Sequence, residues 1–180
     1  MRFVNPSFLV LASAALLACA RMSAGADFAP GLDLQPYRTF DWGAGDTLTA
    51  GDPRLDDNPF FDARVRAAVE LELAAKGVQR DTTAPDLLVH YHASVRQRVD
   101  VVRADEMRGY TFGRVNAPDK VLAYEEGTLI LDVAEAKTKR ILWRGWSQTD
   151  VDGLLNDPPA LEKRIGVSVR KMMAQFPRLP

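Results

Sequence analysis

Residues 86–101 alternate between apolar and polar side chains. Leu87, Val89, Tyr91, Ala93, Val95, Val99 and Val101 fall on one side, and His90, His92, Ser94, Arg96, Arg98 and Asp100 on the other. A period of two with one apolar face predicts a strand in a sheet that carries helices on a single side. The period changes at Phe61, Val65, Val69 and Leu73, which recur every four residues and predict a helix over 59–76, with Arg64, Arg66, Glu70 and Glu72 off the buried stripe. Asn58-Pro59 suits its start, because Pro at the first helical position has no N–H to leave unpaired, and Gly77 supplies a left-handed stop. A second helix opens in the same way at Asp157-Pro158. Leu161, Ile165, Val169, Met172 and Phe176 follow at helical spacing, and Pro177 closes it.

The shorter elements are read from composition. Tyr37-Arg38-Thr39-Phe40-Asp41-Trp42 is aromatic and alternating, so it predicts a short strand, and 43–57 a polar loop. Residues 128–134 and 140–149 predict a hairpin around 135–139. Leu129, Leu131 and Val133 would face the helices opposite Ile141 and Trp143. Trp146 breaks the parity of Trp143, and Gly145 between them reads as a bulge. Residues 103–124, with Gly109, Gly113 and Pro118, have no clear period and read as a long loop. The order β-α-β-β-β-α predicts an α+β fold: a two-layer sandwich, a four-stranded mixed sheet with two helices on one face. Residues 37–180 form one domain on this reading.

The amino-terminal segment belongs to a different class. Arg2 gives a short positive start, and 8–18 is an uncharged apolar run, too short for a bilayer core, which needs about 20 residues, but suited to a signal peptide. Leu16-Leu17-Ala18-Cys19 resembles the lipobox of bacterial lipoproteins, in which the cysteine is acylated and becomes the new amino terminus. The expectation is a signal peptide over 1–18, a lipidated Cys19 and a tether rich in small residues, Gly and Pro through 36. Ala20 after the cysteine points to the outer membrane, with the domain facing the periplasm. Ala24-Gly25-Ala26 also fits ordinary signal-peptidase cleavage, and the two readings differ in whether Cys19 survives in the mature protein.

Composition narrows the function further. The chain has 180 residues, 47% hydrophobic and 26% charged, the balance of a folded domain. Its formal charge is −1, so no broad positive field gathers nucleic acid, and a nucleic-acid partner is not expected. Cys19 is the sole cysteine, which excludes an internal disulfide and a cysteine metal cluster.

Several blocks carry a family resemblance. Tyr37-Arg38-Thr39-Phe40-Asp41-Trp42, Asp86-Leu87-Leu88-Val89-His90-Tyr91, Tyr124-Glu125-Glu126-Gly127-Thr128-Leu129, Asp132, Trp143-Arg144-Gly145-Trp146 and Phe176-Pro177 resemble domain-of-unknown-function family 4136 over about residues 27–177. The resemblance implies a bacterial envelope lipoprotein and a fold, and it supplies no catalytic residues.

Candidate chemistry is sparse. His90 and His92 project from one strand face about 7 Å apart, a spacing that chelates zinc if Asp132 or a loop carboxylate adds a ligand; a solvent-facing pair is the plainer reading. Arg144 and Trp146, with His92 and Arg96, would form an aromatic and cationic surface for a partner on the open sheet face. Arg96, Arg98, Arg103, Arg108 and Arg114 are interleaved with Asp100, Asp105 and Glu106, so they read as a solvated mixed face. Glu125-Glu126 point to opposite faces of a strand and make a poor acid–base pair. No nucleophile elbow, zinc helix, phosphate loop or dinucleotide fingerprint is present. No cofactor is expected, and the expected role is a non-catalytic structural or protein-interaction module at the membrane. The alternative is a small-ligand or lipid carrier with a pocket between helices and sheet.

Overall fold

The computed structural model describes residues 22–34, 36–43, 52–56, 58–102 and 120–177. Residues 1–21, which hold the expected signal segment and Cys19, and 103–119 lie outside the described residues.

Both helices start where their caps predict. Asn58 accepts from the N–H groups of Phe60 and Phe61 and opens α1 (Pro59–Ala74), and Asp157 accepts from the N–H of Ala160 and opens α2 (Pro158–Met173). The stripe Phe61, Val65, Val69 and Leu73 is buried in α1, and Leu161, Ile165, Val169 and Met172 in α2. Gly77 takes φ +81 just past α1. The second helix ends at Met173, before Pro177, and Phe176 folds back in the following turn to meet Trp143 edge-on at 5.2 Å.

The strands are β1 (Met22–Phe28), β2 (Thr39–Trp42), β3 (Gln79–Arg80), β4 (Leu87–Val102), β5 (Lys120–Glu135) and β6 (Ile141–Asp150), in sheet order β1-β6-β5-β4-β2-β3. β2 runs parallel to β4 with α1 between them in sequence, and β4, β5 and β6 form an antiparallel meander. Those four strands are the expected mixed sheet, and both helices pack on one face of it.

Four expectations change. The sheet has six strands, not four. The first addition lies in the stretch read as tether: Met22–Phe28 pairs antiparallel with β6 along its whole length. The second, β3, holds two residues parallel to β2, too few to leave a period in the sequence. The loop read over 103–124 is shorter, since β5 begins at Lys120 and 120–124 pair with 98–102. The bulge lies at Leu142, before Trp143 and not at Gly145: Val133 pairs with Trp143 but Ala134 pairs with Ile141. That extra residue turns Ile141 out to 44% exposure instead of toward the helices. Gly145 has another task, because a Cβ there would collide with the Trp143 ring folded over it.

The core lies between sheet and helices. Phe40, Leu87, Val89, Leu131, Val133 and Trp143 on the strands meet Val65, Val69, Leu73, Val169 and Met172 on the helices, all essentially inaccessible to water. Among the described residues no helix is long and apolar enough to cross a membrane.

Candidate functional site

The face of the sheet turned away from the helices carries every candidate surface residue. Strand register sets them in rows. Gly25, Trp146, Ile130 and His92 form one row, and Asp27, Arg144, Asp132 and His90 the next. Trp146, Arg144 and His92 are thereby brought together around Ile130 and Asp132. Arg96 stands two rows further along β4, exposed and opposite Glu126.

The centre of this face is an ion pair. Arg144 donates to both carboxylate oxygens of Asp132, from Nε to Oδ1 at 2.5 Å and from Nη2 to Oδ2 at 2.6 Å. The Asp132 side chain is 6% exposed against 46% for Arg144, so the carboxylate sits beneath its partner's guanidinium. The carboxylate raises the guanidinium pKa further and fixes the charge. His92 Nε2 lies 3.8 Å from Asp132 Oδ2, and His92 Nδ1 is buried with no hydrogen-bond partner among the described residues. The His90 ring lies over Gly43, where any Cβ would collide with it.

These contacts bear on the zinc reading. Asp132, the carboxylate suggested as a third ligand, is held by Arg144 on both oxygens. Among the described residues no group of three or more His, Cys, Asp or Glu side chains is arranged to hold a metal ion. Glu125 and Glu126 also have separate partners, Arg54 for the first and Arg98 for the second.

Trp146 is half-buried, because it lies flat across Gly25 of the neighbouring strand. A Cβ at position 25 would fall 2.5–2.7 Å from three atoms of the indole. Trp146 thus covers β1 at Gly25 while staying partly exposed.

Two polar clusters have no counterpart in the sequence reading. On α1, Asp62 accepts from the Tyr91 hydroxyl at 2.9 Å and from Arg66, whose guanidinium lies 4.5 Å over the Trp42 ring. Burial first, then the Asp62 carboxylate, pushes the Tyr91 hydroxyl well above its usual range. The spacing of Asp62 and Arg66, four apart on a helix, was the available signal. Arg54 bridges Asp52 at 2.6 Å and Glu125 at 2.7 Å, tying the loop before α1 to β5. No local pattern announces that contact.

Between α2 and the sheet lies a cavity of about 50 Å³ with a mainly apolar lining that includes Leu55, Val95, Leu161 and Ile165. At its polar edge Arg164 donates to the Thr149 hydroxyl at 2.7 Å.

The family described as Domain of unknown function (DUF4136) matches residues 25–178. The chain belongs to that family. The match begins inside β1, in agreement with that strand being part of the domain. A DUF4136 protein from Bacteroides thetaiotaomicron has the same fold at a TM-score of 0.50 and 14% identity, over 88% of this chain and 97% of that one. A PDZ domain protein from Parabacteroides distasonis superposes at a TM-score of 0.54 and 16% identity over 89% of this chain. The chain spans 38% of that protein's length. At these identities the likeness concerns the fold alone. No curated protein matches.

Proposed function

We propose that this DUF4136 protein is a cell-envelope lipoprotein, held through Cys19 to the periplasmic face of the outer membrane, whose domain is a non-catalytic module for binding an envelope protein. The observation that carries the binding role is the helix-free face of the sheet. It combines a partly exposed Trp146 with an exposed Arg144 bonded to the buried Asp132 and with the adjoining His92. Trp and Arg are the residue types that anchor interfaces, and a rigid sheet presents them at little entropic cost. The tethering rests on the apolar run 8–18 and on Leu16-Leu17-Ala18-Cys19. Two or three acyl chains hold a protein stably where one does not.

The pocket beside α2 does not favour the carrier alternative. Pockets for drug-sized ligands run about 300–1,000 Å³, against the cavity of about 50 Å³ beside α2.

Two measurements test the proposal. Fractionation of a Cys19→Ser variant is expected to move the protein out of the membrane pellet, and unchanged association would end the lipoprotein reading. In-cell photocrosslinking from position 146 is expected to yield a discrete heteromeric product identified by mass spectrometry. A similar product from exposed Lys163 on α2, with none from 146, would remove the open face as the contact surface.

A further inference from the structure

One end of the sheet is not flush. Met22, Thr149, Gly127 and Val95 stand in a single row across β1, β6, β5 and β4. β1 runs from that row toward Phe28, so the chain leading back to Cys19 departs from the same end. At that end β6 stops with Asp150 opposite Glu126, while β4 and β5 continue as a two-stranded arm, paired from Gln97 with Glu125 out to Val102 with Lys120. The arm reaches seven residue steps past the Met22 row, about 24 Å at the usual rise of a strand. Three residue steps lead from Met22 back to Cys19, and a fully extended chain of that length spans at most about 11 Å. The arm is roughly twice as long as the leash beside it.

We propose that the β4–β5 arm is a membrane-contact element that rests against the phospholipid surface into which Cys19 is anchored. The inference depends on the lipoprotein reading above. With the acylated residue held at the bilayer, the Met22 row lies within about 11 Å of the surface, and an arm projecting farther from the same end meets it. Its composition suits a neutral lipid surface. Residues 96–102 and 120–126 carry Arg96, Arg98 and Lys120 against Asp100, Glu125 and Glu126, with no net charge. Val99, Val101, Val102, Val121, Leu122, Ala123 and Tyr124 make up half of the same stretch. Val99 is 61% exposed, and an isolated two-stranded ribbon is at best marginally stable in water, so this arm gains by lying on an apolar boundary.

The test uses the full lipidated protein, reconstituted into vesicles of phosphatidylethanolamine and phosphatidylglycerol. A thioether at Cys19 leaves an introduced cysteine as the sole free thiol, so Val99→Cys is labelled with a polarity-sensitive dye. Ala123→Cys, its register partner, serves as the second arm position, and Lys137→Cys reports the opposite end of the sheet. Quenching by spin-labelled lipid is expected to be several-fold stronger at 99 and 123 than at 137, with a blue-shifted emission, and to persist without phosphatidylglycerol. Equal, weak quenching at all three positions in protein that floats with the vesicles overturns the arm proposal and leaves the lipoprotein reading standing. An intact mass lacking acyl groups, or failure to float, overturns both.

Discussion

The Trp146 indole lies across the bare α-carbon of Gly25 on the β1–β6 ladder, where a Cβ would have no room. The pair joins the candidate surface to the edge of the sheet. Gly25→Val inserts atoms where the indole lies, and overpacking of this kind costs about 1–3 kcal/mol. Urea denaturation is expected to show that loss, together with red-shifted tryptophan emission as the ring is displaced. An unchanged midpoint would mean that β1 is not docked under Trp146.

The Arg144–Asp132 pair makes a prediction about sign. Removing the cation strands a carboxylate that is 6% exposed, so Arg144→Met is expected to destabilise by about 1–3 kcal/mol. Adding Asp132→Leu removes the stranded charge and should recover much of the loss. A double variant that is less stable than the single one would contradict a buried, bonded carboxylate.

Face assignment can be checked on two leucines. Leu131 is 1% exposed at the centre of β5, and Leu71 is 68% exposed on α1. Replacing Leu131 by Ala is expected to cost about 2–5 kcal/mol through lost burial and the void left behind. The same change at Leu71 should stay within about 0.5 kcal/mol. Thermal or urea unfolding of the two variants decides it.

Stability against acid should depend on Asp86. Its Oδ2 accepts from the N–H of Arg38 at 2.9 Å, and from the N–H and hydroxyl of Thr39 at 3.0 Å each. The Arg38 N–H is the main cause holding this carboxyl below the usual range, helped by Thr39 and opposed by burial. A depressed native value means that folding favours the ionised form. The stabilisation is therefore present above the unfolded value, about pH 4, and is lost as pH falls through the native one. Asp86→Asn is expected to lower unfolding free energy by about 1–2 kcal/mol at neutral pH. The gap from the parent should close in acid, and a gap that widened there would reverse the sign of this linkage.

Long periodic elements were legible in the sequence because each carried redundant signals. Asn58-Pro59 and Asp157-Pro158 marked the helix starts, the apolar stripes gave their buried faces, and the alternation from Leu87 to Asp100 separated the two faces of β4. Strand β1 was missed for a physical reason. Its Gly25 is bare because Trp146 covers it, its Ala24 and Ala26 pack against the core, and small residues without β-branching read as a flexible tether. The bulge at Leu142 was misplaced because Gly145, the more conspicuous residue, is small to admit the Trp143 ring. Side-chain alternation groups Trp146, Arg144, His92 and Arg96 on one face of the sheet, but their rows around Asp132 are a product of strand register, which no local pattern encodes. In the sequence Asp132 reads as a third zinc ligand, and the structure commits it to Arg144.

The two margins of the sheet are unequal. At one, β3 is a two-residue stub whose Arg80 pairs with Asp41 and Glu70, so ionic groups fence off that side. At the other, β1 offers seven residues of narrow backbone with no strand beyond it among the described residues. Among the described residues, the β1 border thus leaves more backbone open to an added strand than the β3 stub does. Two copies meeting there about a two-fold axis would complete each other as a closed couple.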